Sequence, residues 1–245
     1  MKIFLMTDLE GVAGVKNAVD WIYPTSPFYA VACRLLTGEV NAAVSGFFDA
    51  GASEVLVADG HGAGAIDVES LDERVEFARG WPQGFPFGLD STFDGIAWVG
   101  QHPKAGTIGG HLCHTQSFEY LDLSINDISI GEFGQLALCA YELGVPPFFA
   151  SGDLAFCQEA QKLCPDIVTC SVKKGVQTKP GDSCSAEEYE RWNEGAIHLS
   201  PLAARRRIRD CARLAALELK NRKFSSTIPI APPYVRRAVF RPNKK

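Results

Sequence analysis

The sequence predicts an α/β fold: a mixed, mostly parallel sheet flanked by helices, with a smaller α+β portion towards the C-terminus. Three observations carry this expectation. Short, buried-looking apolar segments alternate along the chain with longer stretches of helical periodicity. Each of the first such segments runs straight into residues capable of chemistry, as 2–7 runs into Asp8, 53–59 into His61 and 94–101 into His102. Sites in open α/β sheets form at the carboxyl ends of the strands, which is where this pattern puts those residues.

Taken in order, KIFLMT at 2–7 is a short β-branched and apolar strand. Residues 28–50 predict a long helix, with Ala32, Leu35, Leu36, Val40, Ala43, Val44 and Phe47 at helical spacing and AGA at 50–52 as its stop. SEVLVAD at 53–59 and GIAWVGQ at 95–101 are further buried strands. FEYLDLSINDISI at 118–130 alternates and predicts a hairpin turning at Asn126-Asp127. A helix over 131–143, a strand over 145–153 and helices around 158–165, 183–196 and 201–222 complete the pattern. Residues 1–150 are expected to form the catalytic α/β domain and 151–222 a smaller helical or α+β region. The basic, Pro-rich 223–245 is expected to be an extended arm or a poorly ordered tail.

Composition sets outer limits. The chain has 245 residues, 46% hydrophobic and 22% charged, which is ordinary for a globular protein. No run of eighteen apolar residues occurs, so no membrane span is expected, and MKIFLMTDLEG does not read as a signal peptide. The eight cysteines include no CxxC pair, which argues against a zinc ribbon or a redox dithiol and fits reduced thiols in the cytoplasm. Thirteen of the Lys and Arg residues fall within 201–245, against two acids. Arg205, Arg206, Arg207, Arg209 and Arg213 read as the solvated face of a helix, not as a nucleic-acid surface, because no aromatics are interleaved with them.

Five places carry chemistry. Asp8 and Glu10 are two residues apart after a strand, so their carboxylates point the same way; they are either exposed strand-end acids or partners of a shared cation. His61 follows Asp59-Gly60 at the end of the second strand, where an imidazole can ligate a metal and Asp59 can orient it. His102 holds the same position after the next strand. The Gly-rich loop TIGGHLCHTQ brings His111 and His114, each able to act as base, proton shuttle or ligand. Glu132 begins a helix, where it either caps the N-terminus or binds a metal. No GxSxG, P-loop or GxGxxG is present. A set of carboxylates and imidazoles suits zinc, manganese or iron better than calcium, and several acids with two or three histidines favour two ions sharing one bridging acid.

Several of these segments, read in order, resemble one known family. TDLEGVAG at 7–14, TGEVNAAV at 37–44, EVLVADGHG at 54–62, WVGQH at 98–102, INDISIGEFG at 125–134 and ASGD at 150–153 are similar to the D-aminopeptidase family of dizinc peptidases. The resemblance runs from residue 1 to about 222. It implies a two-domain α/β fold, assembly into pentameric rings stacked as decamers, and two zinc ions per chain. It further implies that Asp8 bridges both ions, that Glu10 and His61 complete one site, and that His102 and Glu132 complete the other. His114 matches the family's catalytic histidine, and Asn126 falls where substrate is contacted. Two departures stand out: the loop between His102 and His114 carries the additional His111, and Cys113 precedes His114.

The activity implied is cleavage of short peptides, with D-Ala-D-Ala as the natural first substrate to try. The alternatives are a dinuclear-metal amidase acting on a cell-wall-derived or other amide, and a non-catalytic ring-forming binding protein. The implied partners are a small peptide and further copies of the chain, with no nucleic acid and no membrane.

Overall fold

The computed structural model describes residues 1–80, 84–221 and 228–242. The described residues form ten strands and six α-helices: β1 Lys2–Thr7, α1 Ala18–Trp21, α2 Tyr29–Asp49, β2 Glu54–Asp59, β3 Glu76–Ala78, β4 Gly95–Gln101, β5 Tyr120–Ile125, β6 Ile128–Ser129, α3 Glu132–Glu142, β7 Pro147–Asp153, α4 Leu154–Leu163, β8 Val168–Gly175, α5 Ala186–Trp192, β9 Ala196–His198, α6 Pro201–Asn221 and β10 Arg236–Phe240.

Seven strands form one sheet in the order β3-β2-β1-β4-β7-β8-β9. All neighbours are parallel except β9, which pairs antiparallel to β8. The fold is therefore the mixed, mostly parallel α/β sheet that the alternation of segments implies. From β1 the chain winds outward through β2 to β3, then returns to the other side of β1 as β4 and winds outward again. The reversal leaves a crevice at the carboxyl ends of β1 and β4, the topological switch point. Asp8 follows β1 there and His102 follows β4.

The side-chain alternation of β1 splits the core into two layers. Ile3 and Leu5 face α2 and α6, whose buried stripes include Leu36, Val40, Val44, Ile208 and Ala212. Phe4 and Met6 face α3 and α4, with Phe133, Leu136, Phe156 and Ala160. The central strands are covered on both faces, which is why they read as nearly continuous apolar runs. Burying a Phe4 or Leu5 side chain contributes about 2 kcal/mol each. Among the described residues no helix is long and apolar enough to cross a membrane.

A second, antiparallel sheet has the order β10-β5-β6. Its hairpin turns at Asn126 and Asp127, both at positive φ (49° and 62°), a conformation Asn and Asp tolerate. The basic C-terminal stretch, as far as it is described, supplies β10 to this sheet, and Arg241 lies over the ring of Tyr189 at 3.3 Å.

Two elements differ from the sequence reading. β8 is a strand that the sequence reading leaves out: its run VTCSVKKG carries two lysines, of which Lys173 is buried and Lys174 exposed. The helix expected over 183–196 is shorter, Ala186–Trp192, and Ala196–His198 form β9, where the chain turns back to pair with β8. On α6 the arginine-rich face is largely solvated as expected, and its buried stripe is Ala204, Ile208, Ala212, Ala215 and Ala216. Small side chains there let α6 lie close against α2; a Cβ on Gly46 would sit 2.5 Å from the carbonyl oxygen of Arg209.

Close approach also governs the crevice. Gly100 has φ +80°, and a Cβ there would meet the Asp8 carbonyl oxygen at 2.0 Å. A Cβ on Gly11 would lie 2.1 Å from the carbonyl oxygen of Gln101. Both glycines let the β1 and β4 loops touch, joined by a hydrogen bond from Gly11 N to Gly100 O of 2.7 Å. Gly100→Ala should lower the unfolding free energy by about 2–4 kcal/mol, through backbone strain plus the clash. Chemical denaturation measures this, and an unchanged midpoint would show that the two loops do not approach as described.

Candidate metal centre

β1, β2, β4 and the start of α3 deliver their polar residues to one place. Asp8, Glu10, His61, His102 and His114 are all buried, while Glu132 is about a quarter exposed (side chain 28%). His61 Nε2 lies 3.3 Å from Glu10 Oε1, and His102 Nε2 lies 3.2 Å from Asp8 Oδ2. Glu132 Oε1 is 3.7 Å from His102 Nε2 and 3.8 Å from His114 Nε2. The His102 and His114 rings stack at 3.9 Å between centroids.

Backbone carbonyls fix the two stacked rings. Nδ1 of His102 bonds the Pro103 carbonyl at 2.9 Å, and Nδ1 of His114 bonds the Leu112 carbonyl at 2.9 Å. A ring that donates from Nδ1 keeps the Nε2 lone pair free for a cation. Asp8 is oriented by Gln101, whose Nε2 donates to Asp8 Oδ2 at 2.7 Å, and by the Leu9 amide at 2.9 Å. Glu132 makes no capping bond to α3; its Oε1 accepts from the Gln116 amide at 2.7 Å and faces the histidines.

The electrostatics follow from crowding acids in a dry place. Burial, with Glu10 alongside, pushes the Asp8 carboxyl up to about 7. Burial acts on Glu10 in the same direction but is outweighed by His61, leaving Glu10 well below the usual range. Burial would depress both His61 and His102, yet the adjoining carboxylates raise them to about 9 and about 10. His114 goes the other way: burial and the neighbouring His102 hold it down.

The residues fit a divalent metal. Two groups, Asp8–Glu10–His61 and His102–His114–Glu132, each offer three ligand atoms within 4.8 Å of one another. Glu10 Oε2, His61 Nδ1 and His102 Nε2 are buried without a hydrogen-bond partner, and buried polar atoms seldom go unpaired. The donor set of carboxylate oxygen and imidazole nitrogen suits zinc and its first-row neighbours.

A cavity of about 850 Å³ is lined by Asp8, Glu10, His61, His114 and Glu132. Its walls include Ile22, Tyr23, Phe85, Phe87 and Phe118, and its rim carries Glu119, Glu187 and Glu190. Three residues singled out in the sequence sit elsewhere. The Asp59 carboxylate accepts from the amides of Ala65 (3.0 Å) and Ile66 (3.4 Å), so it shapes the loop that carries His61 and does not bond the ring. Asn126 lies outside the cavity lining, its side chain bonded to Ala231, Pro233 and Val235. His111 points away from the cavity, with Nε2 on the Lys16 carbonyl at 3.0 Å; burial holds it down to about 2, so it is neutral.

Gln101 and Lys173 were missed by the sequence reading. Gln101 sits one residue before His102, a signal that was available; Lys173 gave none, since a lysine is rarely expected inside a sheet.

An α/β fold with a buried carboxylate–imidazole cluster at its switch point defines a candidate metal-binding α/β protein. The chain belongs to the D-aminopeptidase family (peptidase M55), whose family model matches residues 1–241. It is 31% identical over 179 residues to the D-aminopeptidase of Bacillus subtilis strain 168, an alignment spanning 72% of this chain and 65% of that protein's length. Among solved structures it is similar to the Zn-dependent D-aminopeptidase DppA from Bacillus subtilis, described as a self-compartmentalizing protease. That likeness has a TM-score of 0.82 at 28% identity and covers 98% of this chain and 81% of the other.

A cation binding here competes with protons on Asp8, His61 and His102. His61 and His102, raised to about 9 and about 10, each give up a proton on binding near neutrality, Asp8, raised to about 7, gives up part of one, and affinity rises as pH rises. Calorimetric titration of zinc at pH 7 in buffers of different ionisation enthalpy should record release of at least about one proton per chain. Binding without proton release would contradict this set of ligands.

Proposed function

We propose that the chain is a metal-dependent aminopeptidase that hydrolyses short peptides with a D-residue at the amino terminus, using two zinc ions. The observation that carries this reading is the meeting of two adjoining ligand groups at the floor of one cavity, in a chain of this family. In this reading Asp8 would be shared between the ions, Glu10 and His61 would hold one, and His102 and Glu132 would hold the other. Bound there, the ion pair would polarise the scissile carbonyl and activate the attacking water.

The chain's own residues do the rest. Gln101 keeps Asp8 in place, and the Pro103 carbonyl keeps His102 Nε2 aimed at it. His114 lines the cavity with Nδ1 engaged on Leu112, so Nε2 is the atom that moves protons: it accepts one from the attacking water and delivers one to the leaving amine. This assigns His114 as general acid–base and not as a covalent nucleophile. The cavity rim supplies Glu119, Glu187 and Glu190, and no Lys or Arg among its described lining residues, which suits the cationic amino terminus of a peptide. The ligands all fall within residues 1–150, and we assign the 151–222 region and the arm at 223–245 a supporting role. Ring assembly, as pentamers stacked into decamers, and a cytoplasmic location complete the proposal; DppA's description as self-compartmentalizing supports the assembly.

A second reading of His114 draws on its Nε2 lying 3.8 Å from Glu132 Oε1, within the His102–Glu132 ligand group. There it would be a third ligand. Elemental analysis together with turnover of D-Ala-D-Ala and L-Ala-L-Ala separates the two. The acid–base role predicts that His114→Ala keeps two zinc ions and loses about 10²–10⁴-fold in kcat. Loss of one zinc would make His114 a ligand, and wild-type turnover would remove it from the mechanism. Cleavage of the L,L peptide alone would overturn the stereochemical assignment.

A further inference from the structure

Lys173 is a buried cation that the reaction as described does not use. It sits on β8, 4% exposed, directly beneath the loop that leads out of β1. Its Nζ donates to the carbonyl oxygen of Glu10 in a short bond and to that of Val12 at 3.2 Å. The same loop is held from its other side by α2: Glu39, 1% exposed, accepts the Ala13 amide on Oε1 at 2.9 Å. Between the two clamps, Gly11 is pinned to Gly100 by the 2.7 Å backbone bond.

Burying an ammonium is expensive, and no exposed ion pair is gained in return. Its charge is balanced by two equally buried acids that act on it, Asp153 and Glu39, each keeping one carboxylate oxygen without a hydrogen-bond partner. Asp153 uses its other oxygen to cap α4 through the Ala155 amide at 2.7 Å. The arrangement joins β8, β7 and α2 to a four-residue loop. The hydrogen bonds of Lys173 and Glu39 go to the backbone of residues 10–13 and none to a side chain of the cavity.

We infer that Lys173 and Glu39 form a positioning clamp that fixes the Glu10–Ala13 backbone, and through it aims the Glu10 carboxylate at the cation shared with His61. The inference rests on the metal reading of that site. A rigid backbone matters because Glu10 Oε1 lies 3.3 Å from His61 Nε2 while Oε2 has no hydrogen-bond partner, so the aim of the carboxylate depends on the backbone behind it. Outer groups of this kind typically change metal affinity 10–100-fold when removed.

The test compares Lys173→Met with the double variant Lys173→Met/Asp153→Asn. The double variant removes one of the two stranded acids while leaving the loop carbonyls without their donor. Stepwise zinc affinity is measured by competition with a chromophoric chelator, alongside thermal melting of the zinc-free chains and hydrogen exchange at residues 11–13. The clamp predicts that Lys173→Met weakens one of the two zinc steps by about 10–100-fold and the other by much less. It also predicts that the double variant recovers melting temperature but not zinc affinity, and that the 11–13 amides exchange faster in both. Recovery of zinc affinity together with stability would make Lys173 merely structural and overturn the inference. So would equal weakening of both steps, or unchanged affinity. If Lys173→Met alone does not fold, the double variant carries the same readings. A wild-type chain that binds no zinc would remove the metal reading itself; the exchange data then decide the clamp, and unchanged protection in the variants overturns it.

Discussion

The arrangement turns on one electrostatic constraint: the Asp8 carboxylate stands buried at the end of the central strand, with Glu10 beside it and Glu132 across the crevice. Like charges brought together out of water repel strongly, and each alone would be costly to bury. The surroundings answer with His61 and His102, each set against a carboxylate and each with a buried nitrogen to spare. A folded chain tolerates such a cluster only where something compensates it, and compensation by cations is the reading that uses all of these groups at once.

Much of the remaining structure serves to keep that cluster in register. The switch point sets Asp8 and His102 side by side because β1 and β4 are neighbours. Gly11 and Gly100 let the two strand-end loops touch where any side chain would collide. Carbonyls of Pro103 and Leu112 set the ring tautomers, and Gln101 reaches back from β4 to hold Asp8. Deeper down, the charges of Lys173, Glu39 and Asp153 offset one another beneath the loop. The site thus rests on backbone and buried polar groups from β1, β4, β7, β8 and α2, whereas its open side is apolar and aromatic with an acidic rim.

How much of this was legible in the sequence varies by kind of signal. β1, β2 and β4 were plain, since strands covered on both faces leave unbroken apolar runs. Asp8, Glu10, His61, His102 and Glu132 stand out because each follows a strand or starts a helix, and His114 because it lies on a Gly-rich loop; the structure brings all six together. β8 was hidden by Lys173, whose burial depends on partners 20 to more than 160 residues away, Asp153 and the loop at Glu10. β9 was hidden because three residues pairing at an edge carry too little periodicity to read. Asn126 lies among residues that resemble a site motif, and its side-chain hydrogen bonds go to residues 231–235, a contact no local pattern reveals.

The most direct measurement is anomalous diffraction at the zinc absorption edge from crystals of the zinc-loaded protein. The account predicts two peaks in the crevice at the ends of β1 and β4. One should lie about 2.0–2.2 Å from atoms of Asp8, Glu10 and His61, the other at similar distances from Asp8, His102 and Glu132. Peaks elsewhere, or none at Asp8, would contradict it.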